Sequence, residues 1–269
     1  MNTEIVKKAL YLFCLILIVF LAILAVNTVK IEEKAASIIS ITNNSISNVK
    51  FNENFSEGVL NTQTWQITRE GDFEESTIDV YDVDLTEDVD YRLRLRANTI
   101  GTSDDTVKFH GVRSVQKVDF SEGVTISFDL DWNNQSNGCY LTASVYLCPN
   151  VTNGNPRDEN DWLKFEYVGV PPGKTARSVI AAKIDGRTRW LYTEGWPEDR
   201  SGRKITDQHI QITLDGKSFK IMEEGEEIYA LPSHNLTPTS AYLYLQMSSH
   251  SNYPAREIYF NNVVVAEDV

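Results

Sequence analysis

The sequence predicts an all-β, two-sheet antiparallel sandwich preceded by an N-terminal transmembrane helix. Three observations carry this. Ala9 to Val26 contains no charged residue and follows directly on Lys7 and Lys8. From Phe51 to Val265 short runs of alternating apolar and polar residues recur every ten to fifteen positions, separated by Gly, Asn, Asp and Pro. After the leader and its extension, no apolar pattern of helical period lasts ten residues.

The leader comes first. Eighteen helical residues at about 1.5 Å each span about 27 Å, close to the hydrocarbon thickness of a bilayer. Lys7 and Lys8 flank it on one side, whereas Lys30 and Lys34 on the other are offset by Glu32 and Glu33. Positive flanks stay in the cytoplasm, so residues 1–8 are expected inside, 9–29 as a signal-anchor, and the C-terminal part outside. A cleaved signal fits less well, because a cut after Ala25 would place Ile23 where a small residue belongs. A pilin-type processing site at Lys7-Lys8-Ala9 lacks the glycine and glutamate of such leaders. Residues 30–50 read as a helical extension that passes into an Asn- and Ser-rich linker, and 51–269 as the sandwich.

Within that domain the clear strands are 91–97, 124–132, 140–147, 162–168, 179–184, 209–214, 218–222, 241–247 and 257–265. Side chains on a strand alternate between faces. In 124–132 the apolar residues take every second place, so Asp129 and Asp131 emerge together on the other face. Tyr140, Thr142, Ser144 and Tyr146 oppose Leu141, Ala143, Val145 and Leu147, and Tyr242, Tyr244 and Gln246 oppose Leu243, Leu245 and Met247. Several strands thus share one apolar face and one face of Tyr with carboxylate or amide.

A formal charge of −13 argues against nucleic acid as a partner. The arginine-dense segment Tyr91 to Arg96 alternates with leucine and reads as a solvated strand face. Sequons at Asn43, Asn54, Asn134, Asn150 and Asn235 agree with an external placement. Cys14 lies in the leader, and Cys139 and Cys148 flank one uninterrupted strand that would hold them roughly 30 Å apart, so no bridge between them is expected. Neither a zinc set nor any other cofactor pattern is visible. Asp131 with Asn133 could contribute to a calcium site but forms no full ligand set.

Phe51-Asn52-Glu53-Asn54-Phe55-Ser56-Glu57-Gly58, then Trp65 and Gly71-Asp72-Phe73, resembles the opening of concanavalin A-like lectin/glucanase jelly-roll domains. Arg256 to Val265 is similar to the last strand of that superfamily, which returns beside the first. The resemblance covers about Phe51 to Val265. It implies two curved antiparallel sheets whose concave face often binds saccharide, and by itself it does not imply an enzyme.

Laminarinase and lichenase members carry E-x-D-x-E on a mid-domain strand, placing nucleophile, helper and general acid on one face. Glu70-Gly71-Asp72-Phe73-Glu74 has that spacing but lies in the opening segment, where the family has a surface turn. No G-x-S-x-G elbow accompanies Ser249 and His250, and Gly169 to Lys174 lacks P-loop spacing.

Carbohydrate recognition pairs aromatic faces with polar groups that fix hydroxyls. The residues expected to do so are Tyr140, Tyr244 and Trp196 as stacking surfaces, with Asp129, Asp131 and Glu166 as acceptors on the concave sheet. The sequence is thus read as a membrane-anchored, extracytoplasmic domain that binds a glycan or cell-envelope polymer without catalysis. A glycoside hydrolase using paired carboxylates and a structural envelope or filament protein are the alternatives.

Overall fold

The structure is a computed structural model and describes residues 49–83, 89–104, 108–131, 141–152, 155–168, 177–195, 208–215, 218–231 and 239–267. Sixteen strands are present among them: β1 (Val49–Glu53), β2 (Trp65–Glu70), β3 (Glu75–Asp82), β4 (Tyr91–Asn98), β5 (Lys108–Ser114), β6 (Val118–Asp119), β7 (Val124–Asp131) and β8 (Leu141–Cys148), then β9 (Trp162–Val168), β10 (Arg177–Ile184), β11 (Arg187–Gly195), β12 (Gln208–Leu214), β13 (Phe219–Glu223), β14 (Glu226–Leu231), β15 (Ser240–Ser249) and β16 (Arg256–Glu267). Among the described residues one 3-10 turn, Pro156–Asp158, precedes β9. Among the described residues no helix is long and apolar enough to cross a membrane, and the expected anchor, 9–29, lies outside them.

The strands form two antiparallel sheets. Sheet A runs β14-β13-β12-β7-β16-β4-β3, with β1 also on β16. Sheet B runs β11-β10-β9-β8-β15-β5-β2, with β6 also on β15. The last strand therefore returns beside the first, Asn52 facing Val264.

The core lies between the inner faces. Val124, Ile126, Phe128 and Leu130 of sheet A and Leu141, Ala143, Val145 and Leu147 of sheet B are all buried there. Burial of such side chains contributes about 1.5–3 kcal/mol each and is the main term holding the sheets together. Trp65 is buried against Phe51, ring edge to ring face at 5.2 Å between centroids. The turn after β1 reverses at Phe55 and Gly58, both at positive φ. A side chain at Gly58 would also approach the Tyr91 ring at 3.0 Å, so the turn requires glycine there. Two hairpins turn on Asp185-Gly186 and Glu224-Gly225, each pair at positive φ as a two-residue type I′ loop demands.

All nine strands read from the sequence are present, to within one or two residues at most ends. Strands β2, β3, β5, β6, β11 and β14 were not foreseen, β6 being only two residues long. In β5, six of seven residues are buried, because its second face is covered as well, and alternation disappears. The others are edge strands or neighbours of edges whose faces are half wet, so no apolar periodicity marks them.

The arginine-rich β4 departs from a freely solvated face. Arg94 donates to both carboxylate oxygens of Asp79 (2.9 and 2.7 Å), and its guanidinium lies 3.9 Å from the centroid of the Tyr81 ring. Arg96 pairs with Glu75 at 2.5 Å, and Arg92 pairs with Asp90. The arginines are half-buried, with Asp79 directly opposite Arg94 on β3, Glu75 diagonal to Arg96, and Asp90 two residues before Arg92 in the chain.

Candidate functional site

The outer face of sheet B has the densest convergence of chemistry-bearing side chains. Strand register builds it in rows. One row runs Val179 (β10), Glu166 (β9), Ser144 (β8), Gln246 (β15), Gly111 (β5) and Thr68 (β2). The next runs Trp190 (β11), Ala181, Lys164, Tyr146, Tyr244, Arg113 and Gln66. The alternation of Trp162-Leu163-Lys164-Phe165-Glu166 sends Trp162, Lys164 and Glu166 to this face and Leu163 and Phe165 to the core.

Polar side chains on this face are linked from β9 through β8 to β15, and separately from β15 to β2. Lys164 Nζ lies 2.7 Å from Glu166 Oε1, and Ser144 Oγ donates to Glu166 Oε2 at 3.1 Å. Ser144 Oγ also lies 3.4 Å from Thr142 Oγ1, whose hydroxyl is bonded to that of Ser248. Gln246 Nε2 donates to Thr68 Oγ1 at 2.7 Å by crossing over β5. That crossing requires Gly111: a Cβ there would sit 2.0 Å from the Leu245 carbonyl oxygen and 3.0 Å from Gln246 Cδ.

The Lys164 ammonium sits among three rings, 5.4 Å from the centroid of Trp190, 5.7 Å from Trp162 and 5.8 Å from Tyr146. Electron-rich ring faces stabilise a cation at such distances, in addition to the Glu166 carboxylate. Lys164 (9% exposed) and Glu166 (7%) are nearly enclosed, whereas Trp190 is 62% exposed. A register shift between Ile180 and Ala181 puts Trp190 opposite the small Ala181, leaving room for the indole to lie toward Lys164.

Part of this face is a second apolar cluster of Phe109, Tyr146, Cys148, Trp162, Val179, Ala181 and Tyr244. The segment around the 3-10 turn is tied to it: the Arg157 carbonyl accepts from Trp162 Nε1 and from Lys183 Nζ, both at 3.2 Å. The buried Glu159 carboxylate accepts from Thr152 N and Oγ1 at 2.7 and 2.8 Å and so closes the segment on itself. Burial pushes the Tyr146 hydroxyl and the Cys148 thiol well above their ordinary values, so both stay protonated at neutral pH. Cys148 is a free thiol.

These positions correct the expected set. Glu166 and Tyr244 do lie on sheet B, but Asp129 and Asp131 lie on β7 of sheet A, on the far side of the sandwich. They cannot share a ligand surface with Glu166, because alternate residues on β7 face away from the core that separates the two sheets. Asp129 is held by His209 Nδ1 (2.7 Å) and Asn262 Nδ2 (2.6 Å), and Asp131 lies 3.8 Å from Arg92. Tyr244 points out of the central core yet is wholly buried in the second cluster, so its ring offers no stacking surface. Tyr140 and Trp196, together with Trp132, Asn133 and Cys139, lie outside the described residues. Glu70, Asp72 and Glu74 do not share a strand face: β2 ends at Glu70, Gly71 turns at positive φ, and Asp72 accepts from Ser103 N at 2.8 Å and pairs with Lys108.

Trp190 and Lys164 were missed. Lys164 was legible as the same-face neighbour of Glu166. Trp190 follows a polar hairpin, and nothing in Arg187-Thr188-Arg189-Trp190 says which way its ring turns.

No family model matches the chain, and no curated protein matches its sequence. Solved structures do match in shape. The globular domain of T. cruzi calreticulin superposes with a TM-score of 0.55 at 14% identity, over 82% of this chain and 88% of that one. A Bacillus subtilis protein with a galectin-like fold gives 0.55 at 7% identity, over 82% and 96%. LamA of Z. galactanivorans, solved with laminaritriose and laminaritetraose, gives 0.54 at 14% identity, over 82% and 99%. The fold is that of the concanavalin A-like lectin/glucanase jelly rolls.

Proposed function

We propose that this chain is a carbohydrate-binding domain that uses the outer face of sheet B, without catalysis, and that its leader holds it at the outer surface of a membrane. The observation that carries the reading is the exposed Trp190 indole beside the Lys164–Glu166 pair on one face of the sheet. An exposed indole stacks on a sugar ring, while a fixed ammonium and carboxylate orient its hydroxyls. One neighbour of the same fold is solved with bound laminari-oligosaccharides, which supports a saccharide as ligand.

The non-catalytic part rests on charge. A retaining glycosidase needs two carboxyl groups about 5 Å apart. Here Trp162, Lys164 and Glu166 take three same-face places on one mid-sheet strand, with one carboxylate where E-x-D-x-E would present three. Glu166 is, in addition, neutralised by Lys164.

The test uses the full-length chain in neutral detergent on a polysaccharide array, with Trp190→Ala beside it. Retention on at least one polymer, weakened about tenfold or more by the substitution, is the expected result. A blank array at high protein concentration, or equal binding by the variant, overturns the reading and favours a structural role. Reducing sugar released from a bound polymer, and lost in Glu166→Gln, would restore the hydrolase alternative.

A further inference from the structure

We infer that the Trp190 site takes one sugar ring at a time, a mono- or disaccharide unit, and that the outer face of sheet B is closed to a polysaccharide lying across its strands. The inference rests on the binding reading above and sets the size of its ligand.

Strands spaced about 4.8 Å apart offer a sugar chain fresh contacts at each step only where their outward side chains reach solvent. Here they do not. Phe109, Ser144, Tyr146, Tyr244 and Gln246, on β5, β8 and β15, point away from the central core, yet each is 3% exposed or less. Val179 and Ala181 of β10 are covered as completely.

The segment between β8 and β9 lies on this face. Val151 packs on the cluster that contains Phe109, Tyr146 and Tyr244. Asn155, Pro156 and Glu159 are buried although they belong to a connection between strands, and the Asn155 side chain accepts from Arg157 N at 2.9 Å. The end of the segment is tied to the β10–β11 hairpin. Gly186 N donates to the Asn160 carbonyl at 2.9 Å, and Asp185 N donates to Asp161 Oδ1 at 2.8 Å. Lifting the segment would bare several aromatic rings together, so it stays closed.

Toward the other side of the face Tyr242 is half-buried, and Arg113 and Lys117 lie over its ring at 4.7 and 5.5 Å from the centroid. That ring is already occupied. Trp190, on the edge strand β11, is thus the one exposed aromatic side chain on this face among the described residues. An indole covers about one pyranose, and Lys164 and Glu166 supply the fixed polar partners for that ring. So small a contact binds weakly, on the order of millimolar. Retention on a polymer then comes from many copies of the unit engaged in parallel.

The test is a chain-length series. Laminari-, cello-, xylo- and chito-oligosaccharides of two to six units are titrated by calorimetry against the full-length chain and against Trp190→Ala, in a neutral detergent without sugar headgroups. At least one series is expected to bind, about tenfold more weakly in the variant. Its affinity should rise by less than tenfold from dimer to hexamer, close to the roughly threefold growth in the number of rings a one-ring site can choose among. An affinity that climbs tenfold or more and still depends on Trp190 overturns the inference while leaving the binding reading intact. Binding that Trp190→Ala does not weaken, or failure of all four series to bind, overturns both.

Discussion

His110 gives the sharpest test of the packing. It stands on the core-facing side of β5, 1% exposed, with its ring edge-on to Phe73 at 5.2 Å and neither ring nitrogen hydrogen-bonded. Burial, reinforced by Arg69, lowers its pKa from 6.5 to about 3. The folded state therefore holds a neutral imidazole throughout the range in which the unfolded chain takes up a proton. Because the unfolded state binds more protons below pH 6.5, stability falls with falling pH at up to about 1.4 kcal/mol per pH unit. Integrated from pH 7.5 to pH 5, the loss from this one residue is about 2 kcal/mol. His110→Leu removes the titrating group and two unpartnered nitrogens at similar volume. Urea unfolding followed by tryptophan fluorescence, on the chain in neutral detergent, should show the wild type losing about 2 kcal/mol more than the variant across this window. His250, whose pKa is also lowered by partial burial, is controlled with His250→Asn in both backgrounds. If His110→Leu loses as much stability as the wild type between pH 7.5 and pH 5, the imidazole is not buried in neutral form and the packing of β5 described above is wrong.

Gly111→Ala should be among the most damaging single-methyl changes in the chain, costing about 3 kcal/mol or abolishing folding, since the new Cβ meets backbone at 2.0 Å and not a movable side chain; urea midpoints measure it. Lys164→Met and Glu166→Gln should each destabilise by about 3 kcal/mol, whereas the double variant should fall short of the sum by at least about 1 kcal/mol, as a double-mutant cycle will show. Cys148 should resist alkylation by iodoacetamide at neutral pH until urea unfolds the chain, because burial keeps its thiol protonated as well as covered; rapid labelling of the native state would contradict its place in the second cluster.

How much could be read without coordinates depended on how strictly a strand alternates. β7 alternates without fault between buried and half-buried positions, and both its limits and the outward turn of Asp129 and Asp131 were legible. Likewise β8 and β15 showed which residues leave the core. Alternation also said that Tyr244 points away from the central core, and it does. It could not say that a second apolar cluster waits on that side. Burial there depends on segments distant in sequence, including the loop tied down through Arg157 and Glu159.

The sequence by itself determined the two-layer sandwich and the inward residues of its central strands, because side-chain period and turn chemistry act locally; the return of the last strand beside the first was implied only by the family resemblance. Which sheet a strand joins was decided only by the tertiary structure. Asp129 and Glu166 have equivalent local patterns, yet β7 pairs with β12 and β16 whereas β9 pairs with β8 and β10, and the core comes between them. Trp190 gained its place beside Lys164 in the same way, through hydrogen-bond register across β10 and the small side chain of Ala181, neither of which its own neighbours in sequence record.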